Sequence, residues 1–134
     1  MSMEPRTDAY LATAERNRQL AQALTQPSAA SLVHPLPLEW AVVVAFYAAV
    51  HYVNAYLWEW RHYEPRNHND RENAISRAVA LRAAATAYRR LRSLAHYARY
   101  TPLFQPGRPT SEAAVRTHVE QVAETVRQAL SSAH

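Results

Sequence analysis

Between Ala41 and Trp58 lie eighteen consecutive residues without a formal charge, and this stretch constrains the fold more than any other. Taken with its flanks it predicts a helix from about Leu38 to Trp60, with Pro37 as a first-turn residue and Glu39 near the positive end of the helix dipole. At 100° per residue it divides into three faces. Ala41, Ala45, Ala48, Tyr52 and Ala55 form a small face; Val43, Phe46, Val50, Val53 and Leu57 form a bulky one. Trp40, Val44, Tyr47, His51, Asn54 and Trp58 make an aromatic strip with hydrogen-bonding groups. A helix apolar almost all round must be buried in a core, an interface or a membrane. His51, Asn54 and three tyrosine hydroxyls speak against lipid. Dimerisation through this helix is the expected way for so small a protein to cover three faces.

The other segments read as amphipathic helices. The first spans about Asp8 to Thr25, with Leu11, Ala14, Ala21 and Leu24 on one stripe. A loop broken by Pro27, Pro35 and Pro37 follows. A third helix is expected from Asn69 to Tyr100 without interruption. Asn69 and Glu72 have capping-box spacing, and Val79, Ala83, Ala87, Leu91, Leu94 and Ala98 form its apolar side. Pro102, Pro106, Gly107 and Pro109 end it. The last helix is capped by Thr110 or Ser111 and has Val115, Val119, Val122, Val126 and Leu130 in a regular stripe. The expectation is one all-α domain over residues 1–134, a four-helix bundle.

Composition excludes several functions. Gly107 is the sole glycine, so no dinucleotide fingerprint, P-loop or nucleophile elbow is present. With no cysteine there are no disulfides, thiolate metal sites or cysteine nucleophiles, and a reducing compartment is expected. The first residues lack a basic region followed by an apolar one, which agrees with a cytoplasmic protein.

All fifteen basic residues are arginine. Nine of them lie between Arg61 and Tyr100 against Glu64, Asp70 and Glu72, a local net of +6 in a chain of net +4. Arg71, Arg82, Arg89, Arg92, His96 and Arg99 fall within an arc of about 100° on the third helix. An anionic partner, RNA or a nucleotide, fits this field; a solvated arginine face is the plain alternative. The connection from Arg61 to Arg71 lacks any fixed metal-ligand spacing, and no metal or other cofactor is expected. Its better use is phosphate recognition by the next helix's N-terminus with His68 and Arg71, or else it is only a polar loop. His51 beside Tyr47 and Asn54 reads either as a satisfied core histidine or as a ligand contact. Metal-independent RNA cleavage would need histidine for proton transfer and arginine for phosphate charge. Arg61 with His68, and Arg90 with His96, are the candidate pairs.

The run from Trp40 to His51, then His68-x-x-Arg71, then Tyr88-x-x-Leu91-x-Ser93 and Ala98-Arg99-Tyr100 resembles small bacterial proteins of the HEPN superfamily. The resemblance implies a helical bundle, usually a homodimer, that binds RNA or nucleotides. Many members are ribonucleases with an R-x4–6-H motif contributed by each subunit; others are accessory modules beside a nucleotidyltransferase partner. Neither pair here has the common residues around that motif, since Arg90 precedes Leu91 and His68 precedes Asn69. His51, His68, Arg71, Arg99 and Tyr100 match the pieces that carry the resemblance and form the first expected ligand site, with Arg82, Arg89 and Arg92 as further nucleic-acid contacts. Arg99 lies about 42 Å from Arg71 along a straight helix, so it joins that site only if the helix breaks or a second subunit supplies it.

Overall fold

The computed structural model describes residues 3–26, 38–100 and 111–132. Among them every regular element is helical: α1 (Pro5–Leu24), α2 (Leu38–Arg61), α3 (His68–Arg77), a 3-10 segment (Val79–Ala84), α4 (Ala85–Tyr100) and α5 (Glu112–Ser131). The proline-broken connections, including Pro37, Gly107 and Thr110, lie outside the described residues.

Helix α2 is the axis of the molecule, packed against α1, α4 and α5. Fourteen of its 24 residues are buried, from Leu38 to Leu57. Both apolar faces are therefore largely covered by the chain's own helices, Val43 alone of the ten remaining half-exposed. The expectation that a second copy is needed to cover α2 loses its premise. The aromatic strip divides: Asn54 is buried, His51, Val44 and Trp58 are partly covered, and Trp40 is 63% exposed. Among the described helices α2 is the one long and apolar enough to cross a membrane, and most of that stretch is buried inside the fold.

Local chemistry explains the ends. Helix α1 begins one turn earlier than expected, with Pro5 in its first turn. The Thr7 hydroxyl donates to Glu59 at 2.8 Å and ties this end to α2. Helix α2 stops at a left-handed C-cap: His62 N–H donates to the Trp58 carbonyl and Tyr63 N–H to that of Leu57. His62 takes the left-handed conformation (φ 48°) that glycine usually supplies. Its ring lies 5.0 Å from that of Trp58, and its Nε2 is 3.2 Å from Glu4. In α5 the Ser111 side chain accepts from Ala114 N–H, and the whole valine–leucine stripe is buried.

The long third helix is corrected. Asn67, not Asn69, caps α3, its side chain accepting from Asp70 N–H at 2.8 Å. The helix ends at Ala78, which is extended (φ −99°, ψ 106°), and a 3-10 turn follows. The break shifts the phase of everything beyond it. Val79, expected inside, is 73% exposed, whereas Ala78, Leu81, Ala84, Tyr88, Leu91 and Ala95 are buried. Because α3 and α4 are separate rods, the chain doubles back and α4 lies beside α3 and α2.

Candidate functional site

Helix α4 carries Arg89, Arg92, His96 and Arg99 at intervals of three, four and three residues, which places them on one face. With Ser93 and Tyr97 they form one wall of an open groove of about 740 Å³; His68 and Glu72 of α3 complete it. Three arginines and two histidines thus face one carboxylate. Arg92 bonds that carboxylate, Glu72, and also reaches Asn69 Oδ1 at 3.2 Å. Arg99 donates to the Tyr47 hydroxyl at 2.8 Å, with its guanidinium 5.9 Å from the ring centroid.

A second arginine stands behind the groove. Arg71, 7% exposed, points from α3 toward α2. Its Nε donates to Asn54 Oδ1 at 3.0 Å, and its Nη1 lies 3.1 Å from His68 Nδ1. A guanidinium only donates, so Nδ1 accepts and the His68 proton sits on Nε2. Burial, with the positive charges of Arg71, Arg92 and Arg99, lowers the His68 pKa against a smaller pull from Glu72. His68 is therefore a neutral imidazole with one N–H to offer. Its ring packs 5.2 Å from Phe46, which in turn meets Tyr88 edge-on at 5.6 Å. His51, stacked on Tyr10 at 6.2 Å, is likewise lowered by burial and by Arg71.

The break in the third helix settles how Arg99 reaches the His68 region: one protomer suffices. No family model, no curated protein and no solved structure matches this chain. What it does must be argued from these side chains.

The structure sorts the expected residues. His68, Arg89, Arg92, His96 and Arg99 share the groove; Arg71 is bonded to His68 behind it, and His51 stacks on Tyr10 outside the groove. Arg61 lies apart, in a pocket of about 450 Å³ with Tyr63, Asp70, Asn73, Ala74 and Arg77. Arg90 projects toward α5, where its charge acts on His118, and so does not share the groove with His96. Neither proposed Arg–His pair is brought together there. Arg82 is an exposed residue of the 3-10 segment away from the groove, and the Tyr100 side chain lies outside the described residues. The α3 N-terminus is already capped by Asn67 and carries Asp70 in its first turn, so the positive surface is α4 instead.

Glu72, Ser93 and Tyr97 join the groove without having been singled out as site residues. Glu72 is one turn from His68, and Tyr97 stands two turns from Arg90 on the same helix, but a continuous helix would have pointed these sets apart. Tyr88 belonged to the motif that carries the resemblance, and its burial beside Arg71 was not readable from spacing.

Proposed function

We propose that this chain is a HEPN-like module that binds RNA or a nucleotide in the groove between α3 and α4, with phosphates on Arg89, Arg92 and Arg99. The observation that carries this reading is the α4 stripe of arginines facing one carboxylate across an open groove. Guanidinium groups bind phosphate oxygens through paired N–H donors and release condensed counterions. The expected result is RNA binding whose log affinity falls steeply with log salt, measured by fluorescence anisotropy of a labelled strand. Binding that is absent, or indifferent to salt, would overturn the reading.

A second reading is a metal-independent ribonuclease, favoured by His68 and His96 lining the same groove as the arginines. One neutral histidine would accept the 2′-hydroxyl proton, a second would protonate the leaving oxygen, and arginine would hold the phosphate. This predicts cleavage of RNA in EDTA, lost in His68→Ala or His96→Ala; full activity in both variants would sink it. A cytoplasmic homodimer built as a HEPN-like bundle, and service to a nucleotidyltransferase-type partner, follow from the resemblance. The groove itself draws on one protomer only.

A further inference from the structure

Arg71 presents a charge without an obvious answer. It is permanently cationic and nearly fully buried, and among the described residues it forms no ion pair. Burying a charge unpaired is among the most unfavourable things a fold can do. Two of its five N–H donors meet Asn54 and His68. Beside it the Tyr88 hydroxyl is fully buried, near enough to the Arg71 guanidinium to feel it as a donor but without a partner in full hydrogen-bond geometry. The Tyr88 and His68 rings both pack on Phe46, at 5.6 and 5.2 Å, so Tyr88 shares a corner with the Arg71–His68 pair. The buried His51 Nδ1, on a ring that also feels the Arg71 charge, likewise lacks a partner.

We infer that the corner formed by Arg71, Tyr88 and His68 is a seat for one tetrahedral oxyanion, and that its ligand is a phosphate monoester, the terminal phosphate of an RNA strand or of a nucleotide. The anion itself is argued from the buried charge; naming its carrier rests on the reading of the groove given above. Three features select a monoester. None of the three side chains is an acid and the neighbouring Glu72 is already paired with Arg92, and a monoester carries close to two negative charges at neutral pH where an internal diester carries one. It offers donors of three kinds: free guanidinium N–H groups, a tyrosine O–H and the His68 Nε2–H. Of its three members His68 lines the groove while Arg71 and Tyr88 are buried behind it, so the end of a strand can reach them where its interior cannot. Arg89, Arg92 and Arg99 would then guide the rest of the ligand outward.

The test uses the full-length protein. Thermal unfolding and calorimetric titration are run with sodium phosphate against sodium chloride at matched ionic strength. The expected result is a rise in melting temperature specific to phosphate. Tyr88→Phe removes a hydroxyl that makes no full hydrogen bond, so it should fold as the native chain does and bind phosphate at least tenfold more weakly. Arg71→Met should abolish the phosphate-specific rise. A second arm compares one oligoribonucleotide with a 5′-phosphate, with a 3′-phosphate and with neither; at least one phosphorylated form should bind tenfold or more tightly. Equal stabilisation by phosphate and chloride, or unchanged phosphate affinity in Tyr88→Phe, would overturn the seat. If all three oligonucleotides bind alike, the terminal-phosphate assignment falls while the groove still binds RNA. If none binds but phosphate stabilises the native chain and not Tyr88→Phe, the seat stands, a nucleotide or free phosphate is its ligand, and the RNA reading falls.

Discussion

Two links from helix to helix in this molecule, the arginines gathered on Glu15 and the lone Arg71, are wired in opposite ways. On one side, where α1 meets α2 and α5, Arg18 and Arg127 both meet carboxylates. Glu15 accepts from Arg18 at 2.8 Å, from Arg127 at 2.6 Å and from the Tyr52 hydroxyl, and Arg18 also bonds Glu120 at 2.8 Å. On the other side, where α2 meets α3 and α4, Arg71 meets an amide oxygen and an imidazole but no acid. The first set closes its own charge and reads as structure. The second leaves a buried positive charge open toward a groove, which is how a fold prepares to receive an anion.

The largest expected effect breaks the closed seam. Burial alone would raise the Glu15 pKa, but the hydrogen bonds from Tyr52, Arg127 and Arg18 overrule it and lower the value to about 2. Glu15→Gln should cost about 2 kcal/mol in urea unfolding, a figure already reduced for its partial exposure, because it removes the negative charge on which Arg18, Arg127 and the buried Tyr52 hydroxyl converge. RNA affinity should not change. A loss of ligand binding equal to that of a groove variant would mean that the two regions are not separate.

Next comes the groove's own acid. Glu72 sits against Arg92 and opposes an incoming phosphate. Glu72→Gln should tighten RNA roughly three- to tenfold in anisotropy at low salt, by removing a like charge from the ligand's path and freeing Arg92. In the seam, removing an acid weakens the fold; here it should strengthen binding. A weakened affinity would show that Glu72 orients Arg92 rather than competes with phosphate.

Arg71→Met sharpens the contrast further. Its charge has no acid to lose, and the methionine can fill much of the volume, so stability should stay within about 1 kcal/mol of native. Asn54 Oδ1, left without its donor, offsets part of the gain from removing a buried charge. A drop of 3 kcal/mol or more would make Arg71 a structural strut.

How far the sequence foretold all this follows from the same two regions. The burial of α2 and the stripe of α5 were legible because period and composition agree, as with Val115, Val119, Val122, Val126 and Leu130. The break at Ala78 was not. Ala-Val-Ala-Leu-Arg-Ala-Ala-Ala holds neither proline nor glycine and has strong helix formers throughout, so local preference argues for continuity. What ends the helix there is tertiary packing, with Ala78, Leu81 and Ala84 buried and the 3-10 segment held against α5. The residue types of the groove were visible as an arginine arc, whereas its second wall depended on that break. Arg71 illustrates a different limit: an arginine in a polar run reads as solvated, and only the fold shows it buried.

The smallest expected effect separates the regions by pH. His51 and His68 are both lowered from 6.5, chiefly by burial and then by Arg71. Above pH 6.5 each is neutral folded or unfolded and contributes nothing. As pH falls below 6.5 the unfolded chain takes up protons that the folded corner refuses, so stability declines until the folded pKa is passed. The Glu15 seam behaves at lower pH: its stabilisation is complete above about 4.5 and is lost as pH falls toward about 2. Acid unfolding followed by circular dichroism should therefore show two limbs. His68→Gln should shallow the upper limb, to which His51 and His118 also contribute, and leave the lower one, and Glu15→Gln should spare the upper and flatten the lower. Phosphate should also shallow the upper limb in the native chain, because an anion beside Arg71 offsets the charge that disfavours a protonated His68. An upper limb that ignores phosphate would place the anion away from this corner and return Arg71 to the status of a buried charge that the fold merely tolerates.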